Sequence, residues 1–129
     1  MKSVIDTNVL VSALWKKEGN AYLLLSNIIS GKIIPCYDKR IMAEYQDVLM
    51  RPKFKFSTSQ VNSILDVFIC GGECVIPAEL PDVQMPDKDD RAFYEVAKFC
   101  NVPLITGNMR HFPKDPIVVS LSDFCGTYL

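Results

Sequence analysis

The sequence has little of what several common classes of protein depend on. Its 129 residues include one histidine and one tryptophan, and 14 Lys and Arg against 15 Asp and Glu give a formal net charge of -1. This balance excludes a strongly basic nucleic-acid clamp, although a local basic patch or bound metal ions could still hold nucleic acid. One histidine excludes a histidine-rich metal site. Any chemistry must therefore come from carboxylates.

The sequence also lacks the cysteine spacing of a disulfide framework and the long apolar run of a membrane span. The five cysteines include no CxxC pair, which argues against a disulfide framework and against a zinc ribbon. No apolar run approaches the ~20 residues that cross a bilayer, and an apolar strand follows Met1 and Lys2 directly, so we expect neither membrane association nor a signal peptide. We expect a cytoplasmic protein with one domain over residues 1–129.

What the sequence does contain is a regular alternation of short apolar runs with helical patterns. Caps, glycines and prolines set the boundaries, as where Asp38 precedes one helical pattern and Pro52 follows it. The alternation predicts an α/β fold, with a parallel sheet between two layers of helices as a three-layer α/β/α sandwich. We predict strands at 2–6, 33–37, 74–77, 102–106 and 117–119, and helices at 8–16, 21–30, 39–50, 58–70 and 91–99.

Polar side chains occupy positions where such a sheet places its ligands. Asp6 ends the first strand, and no Lys or Arg lies between Lys2 and Lys16, so Asp6 either caps a helix or awaits a cation. Glu44 lies at the edge of an apolar helical stripe, Asp90 is in the first turn of a helix, and Asn108 follows the fourth strand. If the first and fourth strands are neighbours where the strand order reverses, Asp6 and Asn108 share one crevice.

Clustered carboxylates raise one another's pKa unless a cation lies between them. Oxygen ligands without His or Cys indicate Mg²⁺ or Mn²⁺. Such ions suit phosphodiester hydrolysis, because they activate water and stabilise charge on phosphoryl oxygens. The acids therefore predict a metal-assisted hydrolase.

Four blocks in order resemble the PIN-domain ribonucleases, and in particular the PIN-family toxins of bacterial and archaeal toxin–antitoxin systems. They are Val4–Leu10, Glu44–Leu49 with Arg51–Phe54, Asp87–Asp90 with Phe93 and Ala97, and Leu104–Asn108 with His111 and Phe112. The resemblance implies a five-stranded sheet in order 3-2-1-4-5. It also implies RNA cleavage that depends on Mg²⁺ or Mn²⁺, with Asp6, Glu44 and Asp90 as metal ligands and Asn108 at the fourth position. Many relatives have Asp where this chain has Asn108, which lowers the charge of the site.

The resemblance also implies partners and supporting residues. An antitoxin or a second copy in a homodimer would cover apolar surface on the helices of 8–30 and 58–70. Asn8 and Thr106 would orient the site, and Asp87 would assist through a water molecule. Arg51, Lys53 and Lys16 are candidate RNA contacts, with Phe54 and Phe56 available for stacking.

Simpler interpretations stay open for each residue. Asp6, Asn8, Asp87, Asp89 and Asp90 could be plain helix caps, and Glu44 could be a solvated helix residue. Asn108 and His111 could belong to a turn, and the basic connector at 51–56 could merely join two helices.

Two other functions compete with the nuclease. One is a phosphatase with Asp6 as nucleophile, although such folds usually have a second Asp two residues later, where this chain has Asn8. The other is an interaction module whose acidic pocket is catalytically weak, an alternative that Asn108 keeps open.

Overall fold

The computed structural model describes all 129 residues, which form five strands and six helices. The strands are β1 (Lys2–Ile5), β2 (Ile34–Tyr37), β3 (Glu73–Cys74), β4 (Leu104–Thr106) and β5 (Val118–Ser120). The helices are α1 (Thr7–Trp15), α2 (Asn20–Ile29), α3 (Lys39–Leu49), α4 (Thr58–Gly71), α5 (Arg91–Cys100) and α6 (Leu121–Tyr128). Short 3₁₀ turns lie at Pro52–Phe54, Lys88–Asp90 and Met109–His111.

All strand pairs are parallel, and the sheet order is β3-β2-β1-β4-β5. The predicted order is therefore confirmed. The chain builds outward from β1 to β3 and then returns to place β4 on the other side of β1. The strand order thus reverses between β1 and β4, and their carboxyl ends open the crevice in which such sheets bind ligands.

The helices form two groups that flank the sheet. α2 contacts both α1 and α6 in one group, and α3 contacts both α4 and α5 in the other. Ile41, Tyr45 and Leu49 are buried at four-residue intervals along α3, as expected of an amphipathic helix. The Tyr45 hydroxyl donates a hydrogen bond of 2.5 Å to the carbonyl of Ile5. This bond fixes α3 against the end of β1 and so places Glu44 beside Asp6.

Most element boundaries shift by one residue from the prediction, and β4 begins two residues later, at Leu104. β3 is two residues long and ends before most of the predicted run at 74–77, where Ile76 is 90% exposed. β5 begins and ends one residue later than predicted. The terminal segment is a helix, α6, whose start is capped by Ser120 accepting from the amide of Asp123 at 3.1 Å. None of the helices is long and apolar enough to cross a membrane.

Candidate active site

Asp6 lies at the carboxyl end of β1, immediately before α1. Its backbone amide continues the sheet by donating to the carbonyl of Ile105 at 2.9 Å. Its side chain makes no capping hydrogen bond to α1, and its Oδ2 accepts instead from the Thr106 hydroxyl at 2.7 Å. The carboxylate therefore faces β4 across the strand reversal, which a simple helix cap would not do.

Glu44 reaches the same place from α3. Its Oε2 accepts from the Thr7 hydroxyl at 2.6 Å, and Thr7 is the residue after Asp6. Glu44 is half-buried, so its carboxylate is not a freely solvated helix residue. Thr7 was not among the predicted site residues. In the sequence it carries only the signal of a first helical residue.

Asp90 ends the 3₁₀ turn that precedes α5 and is buried. Asp87 caps that turn, with its Oδ1 accepting from the amide of Asp89 at 3.0 Å. Asp90 makes no capping bond, and its buried Oδ2 has no hydrogen-bond partner. His111 lies beside it, with Nδ1 3.3 Å from that oxygen but outside hydrogen-bonding geometry. Asp90 thus points an unpartnered carboxylate oxygen into the site.

Asn108 and His111 form the side of the site nearest β4. The Asn108 Oδ1 accepts from the amide of Arg110 at 3.2 Å, and its Nδ2 lies 3.1 Å from His111 Nε2. Because an amide nitrogen only donates, Nε2 is the acceptor and the imidazole proton lies on Nδ1, towards Asp90. His111 lines the cleft, and Asn108 supports it from behind. The sequence predicts a turn residue at His111, and His111 lies both in a 3₁₀ turn and in the lining of the cleft.

The residues predicted to orient the site connect its parts. The Thr106 hydroxyl, besides donating to Asp6, accepts from the amide of Asn108 at 3.0 Å. Asn8 accepts from the amide of Gly107 at 3.1 Å and so ties the start of α1 to the turn after β4. The Asn8 side chain is an amide that already accepts a backbone hydrogen bond. It therefore differs from the second acid that a phosphatase with an Asp nucleophile uses.

Asp6, Glu44 and Asp90 line one open cleft of about 590 Å³ bordered by twelve residues. Burial, together with the charges of Asp6, Asp87 and Glu44, raises the pKa of Asp90 to about 7. Burial also raises the pKa of Asp6, against the hydrogen bond from Thr106. A cation among these oxygens would reverse both effects.

The donor set fits a divalent metal ion. Carboxylate oxygens are the ligands that Mg²⁺ and Mn²⁺ prefer. The buried Oδ2 of Asp90 has no hydrogen-bond partner, so binding an ion would satisfy it. In addition, one ligand atom each from Asp87, Asp90 and His111 lie within 4.8 Å of one another. Because the imidazole proton lies on Nδ1 and Nε2 accepts from Asn108, His111 has no free nitrogen in this arrangement, and the ligands that the cleft offers an ion are carboxylate oxygens.

Basic residues border the cleft on its α3 side. Arg51 and Lys53 line it, and Arg51 is also paired with Asp47 at 3.0 Å. Lys16 is exposed just beyond the end of α1 and does not line the cleft. Two of the three predicted RNA contacts are thus adjacent to the acids, and the third lies further out.

Together, these features define an α/β protein with a parallel sheet in order β3-β2-β1-β4-β5 and an acidic cleft at its strand reversal, with basic residues beside the acids. The model of the PIN domain family matches residues 2–110, which is most of the chain, and the chain belongs to this family. The fold is similar to the crystal structure of VapBC2 from Rickettsia felis bound to a DNA fragment from their promoter. The TM-score is 0.60 at 19% identity, over 93% of this chain and 97% of that one. No curated protein matches the chain.

Proposed function

We propose that the protein is an endoribonuclease that depends on Mg²⁺ or Mn²⁺. The observation that carries this proposal is the convergence of Asp6, Glu44 and Asp90 in one cleft that contains no Lys or Arg contact to any of them. Membership of the PIN domain family supports it. The bound ion would activate water and stabilise charge on the phosphoryl oxygens, with no covalent enzyme intermediate.

The side chains divide the work between holding the ion and holding the substrate. Asp6, Glu44 and Asp90 hold the ion, and the hydroxyls of Thr7 and Thr106 keep two of those carboxylates in place. Asn108, with Asn8 on the opposite side of the turn, fixes the β4 edge of the cleft. Asp87, which caps the 3₁₀ turn that ends at Asp90, would act on the ion through a water molecule. Arg51 and Lys53 line the same cleft, where they would contact phosphates of the RNA.

We further propose that the protein is the toxin of a toxin–antitoxin pair and acts in the cytoplasm. The fold's similarity to a VapBC2 structure supports this assignment. A groove between α1, α2 and α4, lined by Leu14, Tyr22, Leu25, Ile29 and Ile64 among others, gives an antitoxin segment apolar surface to cover. The same helices supply the surface for a homodimer.

The test is RNA cleavage by the purified protein with Mg²⁺ or Mn²⁺, comparing wild type with Asp6→Asn and Asp90→Asn. We expect each substitution to reduce cleavage at least ~100-fold, the upper end of the loss caused by removing a residue that only supports a metal ligand. Asp66→Asn, an exposed acid on α4, is the matched control and should keep full activity. Growth arrest on expression should follow cleavage in all four proteins.

Other outcomes favour the competing functions. Binding of Mn²⁺ without cleavage of any RNA would support a catalytically weak interaction module. A trapped acyl-phosphate on Asp6 would support the phosphatase. Unchanged cleavage in both variants would overturn the proposed mechanism.

A further inference from the structure

An aromatic cluster surrounds the end of α1. Trp15 is 62% exposed, although its ring contacts Phe54 edge-on at 6.0 Å and Phe56 at 6.1 Å between centroids. Phe54 and Phe56 are stacked on each other at 5.6 Å with 12° between their planes. The two phenylalanines thus support an indole whose surface is mostly left in solvent. Tryptophan is enriched in binding interfaces, so an exposed indole that two other rings support is a candidate contact surface.

The cluster is continuous with the acidic cleft. Val11 and Ser12 line the cleft and lie one helical turn before Trp15, on the same side of α1, and Phe54 also lines the cleft. α1 begins beside Asp6 and ends at Trp15. At 1.5 Å per residue, the indole lies about 12 Å along the helix from the acids.

The charges around the cluster are suited to a polyanion. Lys16 and Lys17 follow Trp15 in sequence, and Lys53 and Lys55 alternate with the two phenylalanines. The Lys53 ammonium lies 5.0 Å from the centre of the Phe54 ring. Phe54 therefore already contacts a cation, in addition to the ring of Phe56 that is stacked on it. Glu18 follows Lys16 and Lys17 in the sequence, and Asp47 is paired with Arg51. Trp15 is therefore the aromatic ring left free to accept a base.

We propose that Trp15 is a stacking platform for a base of single-stranded nucleic acid whose backbone passes through the acidic cleft. This inference rests on the proposed function and specifies how its substrate is held. A separation of about 12 Å along α1 means that the strand must span more than one nucleotide between the cleft and the platform. Lysines around an aromatic ring favour nucleic acid over an apolar protein segment. The ring can stack on a base, and the lysines can contact phosphates.

Trp15 is the chain's one tryptophan, so its fluorescence reports on this site directly. The experiment titrates the Asp6→Asn protein, in Mg²⁺ buffer, with single-stranded RNA and DNA oligonucleotides of two, six and ten nucleotides. We expect quenching by the six- and ten-residue strands, much weaker quenching by the dinucleotide, and little by an abasic strand of the same charge. Similar quenching by RNA and DNA would assign recognition to the base, and preference for RNA would add the ribose.

Binding of the ten-residue strand to Trp15 variants, measured by anisotropy of a labelled strand, completes the test. Trp15→Leu keeps an apolar contact with the phenylalanines but has no aromatic face, and we expect affinity to fall roughly 5- to 150-fold, the range of one base–aromatic stack. Trp15→Phe should recover most of it. Phe99→Ala, which removes an exposed aromatic ring on α5, should bind as well as the parent.

Three results would overturn the proposal. They are quenching by polyphosphate equal to that by RNA, unchanged affinity in Trp15→Leu, or loss of an antitoxin's binding instead of RNA's in that variant. RNA cleavage by wild type with an unaffected Trp15→Leu would reject the platform and leave the nuclease intact. Base-dependent quenching in a protein that cleaves no RNA would support the platform and reject the nuclease.

Discussion

Two groups of buried acids lie at the carboxyl edge of the sheet, and the chain treats them differently. Asp38 follows β2 and pairs with Arg40, which also reaches Glu95 on α5, with bonds of 2.8 and 2.7 Å. Asp6 and Asp90 form the other group with Glu44. The exposed fractions are similar, at 5% and 2% for Asp38 and Glu95 and 4% and 8% for Asp6 and Asp90. Burial alone therefore does not distinguish the two groups.

The difference lies in the partners. Asp38 also accepts from the amide of Ile41, and Glu95 from the amide of Leu80, so the Arg40 group has a cation and backbone donors. The cleft acids have neutral hydroxyls from Thr7 and Thr106, and Asp90 Oδ2 has nothing. A buried charge without a partner is costly, so a cation from outside the chain has most to gain in the cleft.

The paired group also supports the unpaired one. Glu95 and Arg91 hold the irregular segment 75–87, with the Arg91 guanidinium donating to the carbonyls of Leu80 at 2.5 Å and Val83 at 2.8 Å. This segment leads directly to Asp87 and Asp90. Glu95, a member of the Arg40 group, therefore helps to hold the segment that precedes Asp90, although no residue of that segment lines the cleft.

The largest expected difference between the two groups is in how the free energy of unfolding depends on pH, measured in buffer without divalent ions. The pKa of Asp90 is about 7 in the folded protein against 3.8 ordinarily, so between these values the folded state holds more protons than the unfolded one. Stability must then fall as pH rises from about 4 to 7, by an amount on the order of a few kcal/mol. Urea unfolding at several pH values measures it.

Asp90→Asn should remove most of this slope and make the apo protein more stable than wild type at pH 8. Asp115 provides the matched control, because hydrogen bonds from the amide of Ile117 and from Tyr94, together with Lys98, lower its pKa to about 2. Its contribution is present above its ordinary pKa and is lost as pH falls towards 2. Asp115→Asn should therefore lower stability between pH 5 and 8 without changing the slope. A slope that persists in Asp90→Asn would contradict the comparison.

Arg40→Met should have the opposite sign from Asp90→Asn. It leaves Asp38 and Glu95 buried without their cation, and we expect the free energy of unfolding at neutral pH to fall by about 2–3 kcal/mol. This is below the roughly 3–5 kcal/mol typical of a fully buried pair because the guanidinium is 46% exposed. Denaturant midpoints measure the change. Lys39→Met, at the exposed neighbouring position, should stay within about 0.5 kcal/mol of wild type.

Added Mn²⁺ or Mg²⁺ should stabilise the cleft and leave the Arg40 group unaffected. At a free ion concentration ten times its Kd, the free energy of unfolding should rise by about 1.4 kcal/mol, and chelation should reverse the gain. Arg40→Met should show the same increment from its lower starting point. Asp90→Asn should show little, and an equal increment in that variant would place the ion elsewhere.

The sheet could be predicted from strong local signals, whereas the set of three cleft acids came from the resemblance of four ordered blocks to the PIN-domain ribonucleases. Buried β-runs such as Val4-Ile5 end in polar residues, and the fold's parallel topology brings those ends to one edge. The prediction missed α6, where Ser, Asp and Gly weaken the apolar pattern, and it extended β3 into a run whose Ile76 is solvent-exposed. It also missed what depends on tertiary contact: the position of His111 facing Asp90, and the support that Trp15 receives from residues about 40 positions later.

Thr7 offers the smallest and most selective test of the difference between the groups. Its hydroxyl donates at 2.6 Å to Glu44, which is half-buried, so Thr7→Val should cost at most about 1 kcal/mol of stability. The same substitution frees the Glu44 carboxylate to rotate, and outer partners of metal ligands typically contribute roughly 10- to 100-fold to affinity or activity. We therefore expect Mn²⁺ affinity, measured by calorimetry, to fall by that factor while the pH slope set by Asp90 is kept. The conservative variant Thr7→Ser keeps the donor and should retain the wild-type affinity. If Thr7→Val lost stability and kept affinity, Glu44 would be a structural acid like Glu95, and the cleft would hold its ion through Asp6 and Asp90 alone.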